Sequence, residues 1–174
     1  MKLSLTTWLH LGVRLGVLFV ALFGFVVACP AQAGAQTLPT LQSLPLEVQA
    51  AIQEAVRQCE PEKVTLKWGF VSAKDVNDDG VDDYILDYGR FQCGTRMVDY
   101  CGSAGCLTQV FVSLPNRKYI KVLDENVRDL RFAHEMKGRP EMLLDLHGSY
   151  CGKDGASPCS ATLLWNGHTF APVK

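Results

Sequence analysis

The stretch Asp75-Val76-Asn77-Asp78-Asp79-Gly80-Val81-Asp82-Asp83-Tyr84-Ile85-Leu86-Asp87-Tyr88 decides how the chain is read. Its first nine residues are a polar turn rich in Asp, Asn and Gly, the residues that bond to their own backbone and tolerate tight conformations. Its last five are apolar or aromatic apart from Asp87, too few for a helix, and they read as a short strand. An acidic turn that feeds a strand places the segment in a β-sheet.

Strand signals continue on both sides. Val64 to Ala73 is rich in β-branched and aromatic residues and predicts a strand before the turn. Leu107 to Leu114 and Tyr119 to Leu123 flank the turn Pro115-Asn116-Arg117-Lys118. Val127 to Ala133 and Glu141 to Leu146 flank a turn around Gly138. Ala161 to Trp165 and His168 to Ala171 flank Asn166-Gly167, a strong hairpin signal. Before the strands, Val48, Ala51, Ile52, Ala55, Val56 and Cys59 recur at helical spacing. Ser43 is expected as the N-cap with Pro45 in the first turn, and Pro61 ends the helix. The expected fold class is α+β: an N-terminal amphipathic helix followed by an antiparallel β meander, stapled by disulfides. The expected organisation is a signal peptide over 1–35, a polar linker over 36–43 and a single domain over 44–174.

Residues 1–35 contain no Asp or Glu, while Lys2 and Arg14 supply positive charge. Leu15 to Ala28 is an uncharged apolar run, and Ala31-Gln32-Ala33 has the A-x-A form of a cleavage site. This is the layout of a secretory signal peptide. The run falls short of the ~20 apolar residues of a membrane span. Val26-Val27-Ala28-Cys29 also resembles a bacterial lipobox, which gives Cys29 a second reading as a lipid anchor. The expected location is the periplasm or the exterior.

The chain has 174 residues, with 17 Lys+Arg against 18 Asp+Glu. Residues 36–174 carry 15 basic and 18 acidic residues, a net charge of −3. An acidic chain without a basic stripe argues against nucleic acid as the partner. Hydrophobic residues make up 48% of the whole, which excludes a wholly disordered chain. Cys59, Cys93, Cys101, Cys106, Cys151 and Cys159 remain under either cleavage, and an even number in an exported chain implies a disulfide framework. Sequence alone does not choose among the connectivities. Short loops suggest Cys101–Cys106 and Cys151–Cys159, which leaves Cys59–Cys93. Zinc is the competing use of Cys101 and Cys106, although no tight Cys-x-x-Cys partner follows them.

The nine residues from Asp75 read D-x-N-x-D-G-x-x-D. Calcium takes six to eight oxygen ligands in a flexible cage. Asp75, Asn77 and Asp79 stand at alternate positions, Gly80 permits a sharp turn, the carbonyl of Val81 is the expected backbone ligand, and Asp83 returns from the far side, directly or through water. The run of Asp75, Asp78, Asp79, Asp82, Asp83 and Asp87 faces only Lys74, and a divalent ion would relieve that repulsion. The bland alternative is a solvated acidic turn. The loop resembles the EF-hand calcium loop but has Leu86 where that loop carries its bidentate Glu, and a strand follows instead of a helix. It is more similar to the calcium loop of the FG-GAP/VCBS repeat class, which connects β-strands. That resemblance covers about nine residues in one copy, so it implies a structural calcium ion and not a propeller. More broadly, Asp75–Tyr88, Cys101–Val112 and Leu144-Asp-Leu-His-Gly-Ser149 resemble a group of small uncharacterised exported proteins of Gram-negative bacteria, which implies a compartment and no activity.

Other candidates are weaker. Asp145, His147 and Ser149 alternate along one strand, a poor arrangement for a catalytic triad, and no Gly-x-Ser-x-Gly elbow is present. Asp124, Glu135 and Glu141 have no spacing that selects them as paired carboxylates. Trp68, Tyr100 and Trp165 could line a binding face, but aromatics in strands are more often core, and the core is where they are expected. The expected function is a calcium-binding, disulfide-stabilised binding or structural module whose partner is a protein or glycan of the envelope or exterior. The alternatives are a cell-envelope hydrolase or glycan-acting module using His147, and an inhibitor of a foreign hydrolase that inserts the 93–106 loop.

Overall fold

Helix α1 runs from Leu46 to Cys59 and buries Val48, Ile52, Ala55 and Cys59 along one stripe. Its start differs from the expected one. Pro45, not Ser43, is the N-cap, with ψ 150° and no side-chain cap. Extended backbone at Pro45 places it outside the first turn, and the side chain of Gln49 instead donates to the Leu44 carbonyl at 2.6 Å. The end is as expected: Glu60, ahead of Pro61, is extended with ψ 143°, because the proline ring disfavours helical backbone in the residue before it. In the computed structural model, residues 41–95, 100–135 and 137–172 are described. The signal-peptide and Cys29 readings, and most of the linker, lie outside these residues; Leu41–Ser43 forms a 3-10 turn.

The rest is mainly antiparallel sheet. The strands are β1 (Val64–Leu66), β2 (Val71–Lys74), β3 (Asp83–Asp87), β4 (Phe91–Cys93), β5 (Cys101–Gly102), β6 (Gly105–Ser113), β7 (Tyr119–Val127), β8 (Asp129–His134), β9 (Pro140–Leu146), β10 (Cys159–Trp165) and β11 (Phe170–Pro172). A five-stranded sheet centres on β6, which pairs with β3, β5 and β7, while β2 lies beyond β3. A four-stranded meander runs β8-β9-β10-β11, and β1 pairs with β4 in a small ribbon. The Asn166-Gly167 hairpin forms as expected, with the Asn166 side chain accepting from the amides of His168 and Thr169 at 3.0 and 2.9 Å.

Two expectations are corrected. The single strand over 64–73 is two strands in different sheets. A turn at Lys67-Trp68-Gly69-Phe70 divides them, closed by the Phe70 amide on the Lys67 carbonyl at 3.1 Å. The later strands do not form one meander either. Between β7 and β8 only Arg128 intervenes, and there the chain leaves one sheet for the other. Gly105 is forced by this corner, since a Cβ there would lie 2.0 Å from the Val127 carbonyl oxygen. The strands β4 and β5 are too short to carry an alternation that marks them in the sequence.

Strand β6 is buried without a break from Thr108 to Ser113. A strand buried on both faces needs two covers. On one face Phe111 joins Phe70, Leu86, Tyr88 and Phe91 beneath the apolar stripe of α1. On the other Val110 and Val112 meet Met142, Leu144, Leu146 and Phe170 of the second sheet. Burial pushes the Tyr88 phenol above its ordinary value, and its hydroxyl donates to Gln109 at 3.1 Å. Trp165 and Tyr100 pack against these two cores, as expected.

Three bridges staple the layers: Cys59–Cys93, Cys101–Cys106 and Cys151–Cys159. The pairing is the one short loops suggest, and it leaves none of the six as a thiolate for zinc. Disulfides of this kind persist in oxidising compartments. No helix among the described residues is long and apolar enough to cross a membrane.

The bridges differ in the span they close, 34 residues for Cys59–Cys93 and 5 for Cys101–Cys106. In the loop-entropy account the first contributes about 4 kcal/mol and the second about 2 kcal/mol. Urea unfolding should therefore show a larger loss for the Cys59→Ala/Cys93→Ala double variant than for Cys101→Ala/Cys106→Ala. Equal losses would overturn the ranking.

Candidate metal loop

The acidic loop is a hairpin connection. Strands β2 and β3 pair with Lys74 opposite Asp83, so residues 75–82 close the end of the pair. Val76 anchors the loop in the core between the sheets, and Asn77 is buried with it. The remaining residues fold back through hydrogen bonds to their own backbone. Asp75 accepts from the Gly80 amide at 2.8 Å and from the Asp79 amide at 3.3 Å. Asn77 accepts from the Asp79 amide at 3.1 Å. Asp79 accepts from the Val81 amide at 2.8 Å and from the Asn77 side chain at 3.2 Å. Gly80 has φ +80°, a conformation that costs any other residue strain.

Asp83 is the unusual member. Its carboxylate is wholly buried, with 0% of the residue exposed. One oxygen accepts from the Val76 amide at 2.8 Å and the other from the Ser113 amide at 2.7 Å. It thereby ties both the loop and the end of β6 to β3. The Ser113 hydroxyl donates to Asp79 at 2.6 Å, so a single serine joins the two carboxylates. Burial pushes Asp83 above the ordinary carboxylate range; the two amides oppose that shift and Asp79 adds to it. At Asp79 burial also pushes upward, but the bonds from Ser113, Val81 and Asn77 outweigh it and hold the group below its ordinary value. Among the described residues no cation forms an ion pair with either group.

The donor set is all oxygen: three carboxylates, one amide and the Val81 carbonyl. That chemistry suits a hard cation. As the side chains stand, they are turned toward amides, and among the described residues no three His, Cys, Asp or Glu groups are gathered into a metal cluster. The loop is also held from outside. His134 on β8 meets Asp78 at 2.8 Å, and the Lys74 ammonium lies 5.4 Å from the centre of the Phe132 ring.

The other candidate residues are scattered. His147 caps a 3-10 turn over Gly148–Cys151, and its ring contacts the Ser149 hydroxyl at 2.7 Å. No hydrogen bond from Asp145 to that ring is formed among the described residues. Asp124 accepts from Gln109 at 2.9 Å and pairs with Lys121. Glu135 pairs with Arg139, and Glu141 lies on β9. The 93–106 loop is described except for 96–99, and Cys101–Cys106 closes its end. Trp68 is a correction: it is 62% exposed, because it sits in the turn between β1 and β2 and not within a strand. Ser113 is the loop partner that sequence reasoning misses. It is 30 residues from Asp83, and only strand pairing brings them together.

Asp83→Ala strands two buried amides, each worth about 1–3 kcal/mol when unpaired. Ser113→Ala removes only the hydroxyl and leaves its amide in place. Equilibrium unfolding in EDTA should rank Asp83→Ala well below Ser113→Ala in stability. A loss under about 1 kcal/mol for Asp83→Ala would sink this account of the anchor.

No protein-family model, curated protein or solved structure matches the chain, so the functional reading rests on these residues.

Proposed function

We propose that the protein is an exported, disulfide-stapled α+β module, periplasmic or secreted, that holds one structural calcium ion and serves a binding or scaffolding role. The partner in this reading is a protein or glycan of the envelope or exterior. Asp75, Asn77, Asp79 and Asp83 would supply side-chain oxygens, and Val81 its carbonyl. The observation that carries the reading is the wholly buried Asp83 beside Asp79, with no cation paired to either among the described residues. A carboxylate out of water needs a proton or an opposite charge. A divalent ion between the two would supply the charge while the amides keep the loop in place. The three bridges support the exported half of the reading, as does the leader-like composition of 1–35.

The role follows from position. The loop closes the end of the β2–β3 pair and meets β8 through His134 and Phe132. An ion there would brace the contact between two sheets. The loop is flanked by strands and not by a helix pair that could open, so a sensor role is not implied.

Calcium bound only to the native state stabilises by RT ln(1 + [Ca]/Kd), about 2.7 kcal/mol at a hundredfold excess over Kd. A thermal melt of the oxidised protein should rise by roughly 10 °C between EDTA and saturating calcium. Asp79→Ala should melt at one temperature in both. No rise at about 10 mM calcium, beyond the range of weak extracellular sites, would reduce the loop to an acidic turn.

A further inference from the structure

Strand β2 is one edge of the five-stranded sheet, and β8 is one edge of the four-stranded sheet. A groove of about 1060 Å³ is lined from both edges and from the β1–β2 turn. Its charge is opposite to that of the protein. Lys67, Lys74, Arg90, Arg128 and Arg131 line it, against Asp87 and Asp129. The two carboxylates are already matched, Asp87 with Arg90 at 3.1 Å and Asp129 with Arg131 at 2.9 Å. Lys67, Lys74 and Arg128 form no ion pair among the described residues. A local excess of three positive charges thus stands on a chain whose 36–174 region has a net charge of −3. Field lines focus in such a cleft and favour an anionic ligand.

The second feature is Trp68, which lines the same groove with 62% of its surface exposed. Its turn is fixed. The Arg90 guanidinium donates to the Trp68 carbonyl at 3.1 Å, and the Lys67 amide bonds the Arg90 carbonyl at 2.9 Å. A rigidly mounted, exposed indole is a stacking platform whose apolar face has no cover among the contacts of either core.

We propose that this groove binds an acidic polysaccharide, a chain of sugar rings that carry carboxylates, with Trp68 stacked on a ring face and Lys67, Lys74 and Arg128 holding the acids. Arg128 spends its Nε and one terminal nitrogen on the carbonyls of Ser103 and Gly155, which leaves its other terminal nitrogen for the ligand. The Arg90–Asp87 and Arg131–Asp129 pairs offer both donors and acceptors, as sugar hydroxyls require. A single-stranded nucleic acid is disfavoured because one aromatic ring is not the row of platforms that single strands use. An oligoglutamate has the charge but no ring face for the indole. This inference stands on residues outside the acidic loop and does not depend on calcium.

The test is titration of the oxidised protein in EDTA, so that neither the loop nor the ligand holds calcium. The probes are decagalacturonate, its methyl ester, a thymidine dodecanucleotide and an oligoglutamate of similar charge. Decagalacturonate should bind and quench Trp68 fluorescence, the neutral ester should not, and affinity should fall as salt screens the charges. Lys67→Glu and Trp68→Ala should each weaken binding about tenfold or more, with melting temperatures unchanged because neither side chain is hydrogen-bonded or ion-paired among the described residues. Three outcomes would overturn the proposal. One is no binding of decagalacturonate at about 1 mM. Another is tighter binding of the nucleotide or the peptide. The third is undiminished binding by the two variants.

Discussion

Strand β6 must be covered twice. Six consecutive buried residues, from Thr108 to Ser113, leave no face for water, and the architecture is the answer to that requirement. Helix α1 and an aromatic group around Phe70 and Tyr88 close one side, and the β8–β11 sheet closes the other. Neighbouring side chains on β6 point to opposite cores, so a slip of one residue would exchange them. The register is held where a slip would start. At the end of the strand, the Ser113 amide is fixed by the buried carboxylate of Asp83. That bond makes the acidic loop part of the central pairing, whatever else the loop binds.

The legible parts of the fold are those with a local cause. The helix shows in the spacing of Val48, Ile52, Ala55 and Cys59, and the last hairpin in Asn166-Gly167. The pairing of the cysteines follows short loops in two cases and elimination in the third. The misread parts depend on where a segment goes next. Lys67 to Phe70 sits inside a run of strand-forming residues, and only the turn geometry at Gly69, φ +83°, separates β1 from β2. Nothing local marks Arg128 as the residue at which the chain changes sheets.

The candidate sites divide in the same way. The loop over 75–83 is visible because its residues are contiguous and their spacing carries the chemistry. Its anchoring serine is not, since tertiary pairing places Ser113 there. The groove is the extreme case. Its cations come from the β1–β2 turn, from β2, from the 3-10 turn over Tyr88–Arg90, from the sheet corner and from β8, so no window of sequence shows a basic stripe. Net charge hides it as well, because acidic residues elsewhere outweigh it.

The corner at Arg128 has a mechanical consequence. One residue joins the sheets, and its guanidinium is fastened to the carbonyl of Ser103 on one side and of Gly155 on the other. A long connection would let the layers slide past each other, as loosely tethered plates do. Here the covalent link is taut and riveted at its midpoint. With one residue between them and its side chain bonded to both flanks, the two sheets have little chain through which to shift separately.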